Sequence, residues 1–131
     1  MIDLSKYLIV PFVPHGRDMN GCDCWGLVRL ILKEEINIDL PSFNSAYETL
    51  NTTAAMEAIE NNKSDFTQNK VELENIEPYD VLLFYKYSKL SHVGLSLGDN
   101  FFIHTDIGKG VCIEKLERNN LDRLEGIYRV S

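Results

Sequence analysis

The side chains able to do covalent or acid–base chemistry are few: Cys22, Cys24 and Cys112, with His15, His92 and His104. Cys22 and Cys24 stand one residue apart in GCDCWGLVRL, Gly21 to Leu30. A zinc site wants about four Cys, His or acidic ligands, usually at longer spacings. These residues do not supply that pattern, so no metal is expected. A disulfide between Cys22 and Cys24 would be strained, and three thiols are too few for a disulfide scaffold. Free cysteines usually fill cores as small hydrophobes, which is the reading taken for Cys112.

Cys24 differs because of its position. The spacing predicts a helix capped by Asp23 and running to about Glu35, with Pro41 closing its exit. Leu27, Val28 and Ile31 follow Cys24 at i+3, i+4 and i+7, placing it on the buried stripe at the N-terminal end. Unpaired N–H groups and the helix dipole there favour thiolate over thiol, so a lowered pKa is expected. The same N–H groups suit a developing oxyanion. Gly26 is expected to leave that helix end open to a substrate. Cys22 lies ahead of the helix, in a loop, and gains none of this.

A nucleophilic cysteine wants an imidazole as base and acid. His15 falls in a Pro/Gly loop from Pro11 to Gly21, where a solvated role and a functional one are equally open. His92 and His104 sit on successive strands, His92–Leu97 and Phe101–Thr105, joined across Gly98-Asp99-Asn100. A two-residue turn would point the imidazoles to opposite faces. A three-residue loop puts His104 opposite Gly94 and His92 opposite Asp106, with both rings on one face. The odd loop is expected, because it also gathers Val93, Leu95, Leu97, Phe101 and Ile103 into one core face. The Cys24 helix is expected to aim at the face carrying the histidines.

Further strands are predicted at Val81–Tyr85, Val111–Leu116 and Gly126–Val130, and a second helix at Thr52–Glu60. Helices first and antiparallel strands afterwards make an α+β domain spanning 1–131, with a sheet of about five strands. The 131 residues are 44% hydrophobic and 25% charged, a globular balance. A net charge of −7 argues against duplex nucleic acid and anionic membrane surfaces as partners. No run reaches the roughly 20 apolar residues of a spanning helix. MIDLSKYLIVPFVP lacks a basic start and a small-residue cleavage site, so synthesis in the cytoplasm without a signal peptide is expected.

Three stretches carry a family resemblance: DCWGLV (Asp23–Val28), PYDVLLF (Pro78–Phe84) and HVGLSLGDNFFIHT (His92–Thr105). In order and spacing they resemble the NlpC/P60 cysteine peptidases. GRDMNGCDCWGLVR and the closing LEGIYRV resemble the short phage tail-tip members. The resemblance implies a circularly permuted papain-like fold and cleavage of peptidoglycan stem peptides, typically between D-glutamate and a diamino acid. It implies Cys24 as nucleophile, His92 as its base and His104 as the polar third member, with Asp106 a second candidate orienter. The Cys24 N–H is then an oxyanion donor, and Asp23 caps the helix or meets a substrate amine. No cofactor is implied. The partners would be stem peptides and other tail-tip proteins, and the location a virion tail acting on the cell wall.

The chain departs from the family pattern in PFVPHG, Pro11–Gly16: Phe12 stands where a tyrosine is common and His15 where a glycine is. Both bear on the oxyanion and substrate subsite. Tyr79 replaces the glycine of a P-G-D turn. Rival readings are a delivered toxin-like amidase, a catalytically silent tail-assembly docking module, and an acyltransferase with the same triad.

Overall fold

Helix α1 (Cys24–Ile36) organises the molecule, and its limits are set by side-chain and backbone caps. The Asp23 carboxylate accepts from the Gly26 N–H at 2.8 Å, the N-cap the sequence predicts. At the other end Asn37 adopts a left-handed conformation, and the N–H groups of Asn37 and Ile38 bond back to Lys33 and Leu32. The helix therefore stops at Asn37, before Pro41. Cys24 to Val28 and Leu30 to Leu32 are all buried, so α1 is covered on more than one side. Trp25 reaches across to donate to the Pro41 carbonyl at 2.8 Å. The computed structural model describes residues 1–41, 69–86 and 89–131, so the helix expected at Thr52–Glu60 lies outside the described residues.

The segment ahead of α1, expected to be loop, contains a small hairpin of β1 (Arg17–Asp18) and β2 (Gly21–Cys22). Cys22 is thus a fully buried strand residue, its thiol 3.2 Å from the Asp18 carbonyl. The main sheet holds β3 (Lys70–Val71), β4 (Val81–Lys86), β5 (Lys89–Gly98), β6 (Phe101–Asp106), β7 (Gly110–Lys115) and β8 (Leu124–Tyr128). A short helix, α2 (Asn119–Arg123), precedes β8. The strand order is β3-β8-β4-β5-β6-β7, every pair antiparallel. Five of the six strands are the expected ones. The sixth, β3, has two residues and is too short to show alternation.

Alternation along the strands divides the apolar residues between two faces. Val81, Leu83, Val93, Leu95, Leu97 and Ile103 pack toward α1. Leu82, Phe84, Phe102, Leu116 and Ile127 form a second cluster. The start of β4 is tied to the end of β8 by the buried Asp80, which accepts from Arg129 at 2.9 and 3.0 Å and from the Glu77 N–H at 2.8 Å. Beside it Tyr79 has φ of 72°, a left-handed conformation that a glycine would adopt without strain. Losing that glycine is therefore costlier than a simple change at a turn.

The β5–β6 turn corrects one expectation. Asp99 and Asn100 form a two-residue turn with φ of 54° and 64°, the mirror-image type that matches strand twist. A three-residue loop does not form. Instead the register shifts between Gly98↔Phe101 and Ser96↔Phe102, so a bulge at Leu97 supplies the extra residue. The two changes of parity have the same result, and His92 and His104 share a face as expected. Among the described residues no helix is long and apolar enough to cross a membrane.

Candidate active site

The two imidazoles meet directly: His92 Nε2 lies 2.7 Å from His104 Nδ1, with the rings edge to face. His104 Nε2 in turn meets a carboxylate oxygen of Glu114. A carboxylate only accepts, which assigns the His104 proton to Nε2 and makes its Nδ1 an acceptor. His92 must then donate from Nε2, which makes its Nδ1 the acceptor nitrogen. The chain His92–His104–Glu114 thus fixes the tautomer a general base needs. Phe84 and Phe102 pack against the rings, and a cleft of about 220 Å³ opens beside them, lined also by Lys109 and Arg123.

Glu114 escaped the sequence reading, which named Asp106 as a second orienter. Asp106 accepts from the Ile107 N–H at 2.8 Å in the β6–β7 turn and also lines the cleft beside the two histidines. A signal for Glu114 existed. Extending the pairing to β7 sets His104 opposite Cys112 and Phe102 opposite Glu114, all on the histidine face. Cys112 is accordingly only partly buried, its sulfur 3.3 Å from His104 Nε2, and is not the core filler expected.

Cys24 approaches from the other side of the sheet. Helix α1 packs on the Val93/Leu95 face, whereas the expectation aimed it at the histidine face. The β5–β6 ladder ends at Leu95↔Ile103. Because the Ser96 N–H points to β4, the Val93 N–H points toward β6, and it bonds to the Cys24 sulfur. The sulfur thus sits where the two strands part, beside the residue that follows His92. Burial first, and then the Asp23 charge, push the Cys24 thiol up to about 12, against the downward pull of the Val93 and Trp25 N–H groups. Desolvation at 2% exposure thus works against the lowering expected from the helix end.

The NlpC/P60 family profile matches residues 10–124, which includes every residue of this arrangement. The chain belongs to the NlpC/P60 family. It is 31% identical over 101 residues to the murein DD-endopeptidase MepS/murein LD-carboxypeptidase of Escherichia coli strain K12, an alignment covering 77% of this chain and 45% of that protein. The chain thus spans less than half the length of that relative. Its fold is similar to the NlpC/p60 domain of peptidoglycan hydrolase SagA, with a TM-score of 0.66, 20% identity, and coverage of 95% and 91% of the two chains. It is also similar to an NlpC/P60 family protein from Bacillus cereus, with a TM-score of 0.70, 20% identity, and coverage of 96% and 37%. The α+β fold expected from the sequence, one long helix on an antiparallel sheet, is the fold these NlpC/P60 structures share.

In this NlpC/P60 chain the segment before the helix is held by Asp23, which is itself buried. Its carboxylate takes Arg17 at 2.8 Å and the His15 N–H at 3.2 Å, in addition to capping α1. His15 is thereby placed by its backbone, at φ of 62°, the conformation that explains a glycine elsewhere in the family. Phe12 bridges to Cys22 through the backbone, so both departures lie on the loop against the helix end. Gly26 does not leave the end open: it is buried, with the Gly16 carbonyl packed where a side chain would start.

The relay has a pH consequence. Burial holds His104 below its ordinary value of 6.5, outweighing the upward pull of Glu114. As pH falls, the unfolded chain therefore takes up this proton before the folded one, and stability is lost from about pH 6.5 downward. The melting temperature should fall between about pH 7.5 and about pH 5 more steeply in the parent than in a His104→Gln variant. Parallel slopes in differential scanning calorimetry would assign no such role to His104.

Proposed function

We propose that this chain is a peptidoglycan hydrolase that cuts an amide bond in stem peptides through Cys24, His92 and His104. The observation that carries the reading is the chain His92–His104–Glu114, which sets the acceptor nitrogen of His92 at Nδ1, one residue before Val93, whose N–H meets the Cys24 sulfur. Cys24 gives its proton to His92 as sulfur attacks the carbonyl carbon, and the Cys24 N–H at the helix end steadies the oxyanion. The imidazolium then protonates the leaving amine as the C–N bond breaks, leaving a thioester. Water, giving a proton to His92, attacks the thioester and releases the acid and the thiol. His104 and Glu114 position the imidazole and stabilise its charged form.

The bond proposed is that between D-glutamate and the diamino acid. A second reading, DD-endopeptidase or LD-carboxypeptidase cleavage, is favoured by the 31% identity to a protein with those two activities in its name. The resemblance of GRDMNGCDCWGLVR to tail-tip peptidases supports a place in a phage tail, with other tail proteins as neighbours. Mass spectrometry of muropeptides released from purified sacculi tests the chemistry. The expected products are a disaccharide peptide ending in D-glutamate and a fragment with a new amino terminus on the diamino acid. A cut at a DD or an LD bond would move specificity to the second reading, and unaltered muropeptides would overturn the hydrolase.

A further inference from the structure

We infer that His104, Cys112 and Glu114 form a binding site for one divalent metal ion of the zinc class, which occupies Nε2 of His104. One ligand atom from each lies within 4.8 Å of the other two. The Cys112 sulfur is 3.3 Å from His104 Nε2 and 4.0 Å from the nearer Glu114 oxygen. Two groups thus converge on one ring nitrogen that carries at most one proton, and the thiol reaches its other partner, Glu114, only at 4.0 Å, the outer limit for a sulfur donor. A tetrahedral site with zinc bonds of about 2.0–2.3 Å has ligand-to-ligand edges of about 3.3–3.7 Å. Both sulfur edges are within a few tenths of an ångström of that range, and Glu114, half-exposed at 47%, is free to swing back from the ring.

The scaffold is rigid. His104 and Cys112 are directly opposite in the β6–β7 ladder, with Glu114 two residues along the same strand face. The remaining ring nitrogen of His104 is already held by His92 at 2.7 Å, the outer contact that orients a metal-binding histidine. A thiolate, an imidazole and one carboxylate suit zinc or cobalt, whereas calcium and magnesium want oxygen ligands. Binding releases the Cys112 thiol proton to solvent, while His104 stays a neutral imidazole whose ring proton moves from Nε2 to Nδ1.

One consequence rests on the proposed hydrolase reading. A metal on Nε2 puts the ring proton on Nδ1, so His104 donates to His92 Nε2 where it had accepted, and His92 loses the tautomer that a base at Nδ1 needs, so turnover falls. Cys24 is a rival thiol, so binding is measured in the Cys24→Ala variant, which removes it whether or not the chain is an enzyme. Titration with cobalt should give one equivalent bound, a near-ultraviolet thiolate-to-cobalt band, and displacement by zinc. The same band should vanish in a Cys24→Ala/Cys112→Ser double variant whose circular dichroism is unchanged. No band in the first, or a band that survives in the second, overturns the site. In turnover, Cys112→Ser should need at least about tenfold more zinc than the parent for half inhibition. Equal sensitivity of the two would overturn the regulatory consequence and place the inhibiting ion on Cys24.

Discussion

Replacing Cys24 by alanine should lower the rate of stem-peptide cleavage by at least about 10³-fold, because the covalent route is lost and only binding and oxyanion contacts remain. The fold should survive. Cys24 is a small buried side chain at the first position of α1, and alanine removes one sulfur atom while improving helix propensity. The melting temperature should therefore stay within about 5 °C of the parent, since a one-atom cavity costs about 1 kcal/mol. Initial rates of muropeptide release and a thermal melt by circular dichroism check both halves together. Two thiols flank the relay, Cys24 beside Val93 and Cys112 beside His104 Nε2, so a parallel Cys112→Ala variant is informative. Activity that survives Cys24→Ala but not Cys112→Ala would transfer the chemistry to the other side of the histidines. The tautomer chain argues against that outcome: the proton on His104 Nε2 faces Glu114 and Cys112, and the acceptor nitrogen of the pair is His92 Nδ1.

Which of these features the sequence discloses follows from the range of the physics behind them. The start of α1 is legible because capping is local: Asp23 and the apolar spacing after it lie within one turn. Its end is less so, since Asn37 in a left-handed conformation competes with the more conspicuous Pro41. The strands are legible because one buried face imposes a period of two. The shared face of His92 and His104 follows from that burial even though the turn is shorter than expected, because a slip by one residue would expose Val93 and Leu95. Glu114 needs a second register, between β6 and β7, to be carried through. The meeting of Cys24 with the histidine strand is not local in any sense. It depends on where the β5–β6 ladder ends and on a helix packed across the opposite face, and no spacing along the chain encodes either. The raised thiol pKa has the same origin. Helix position is visible in sequence, whereas desolvation is a property of the assembled site.

Gly26→Ala should destabilise the protein, which reverses the usual sign for that change within a helix. At an exposed helical site alanine in place of glycine gains about 1 kcal/mol. Here the new methyl would lie 1.9 Å from the Gly16 carbonyl oxygen and 3.1 Å from Arg17 Nη1. Gly16 has no room to retreat: a methyl on it would stand 2.2 Å from the Gly21 carbonyl oxygen, and one on Gly21 would stand 2.2 Å from the Val13 side chain. Gly26, Gly16 and Gly21 are thus stacked backbone on backbone, clamping the β1–β2 hairpin onto the start of α1. Arg17 Nη1 donates at 2.8 Å to both the Gly16 carbonyl and the Asp23 carboxylate, so displacing Gly16 also loosens the ion pair on the helix cap. Overpacking costs about 1–3 kcal/mol, and loss of a buried ionic partner costs more, so a fall in melting temperature of about 10 °C is expected. If the glycine served only to leave the helix end open to substrate, alanine would raise KM while leaving the melt unchanged or slightly higher. A thermal melt beside a KM measurement separates these roles, and a lowered melting temperature would identify Gly26 as the residue that lets the preceding loop close over the Cys24 end of the helix.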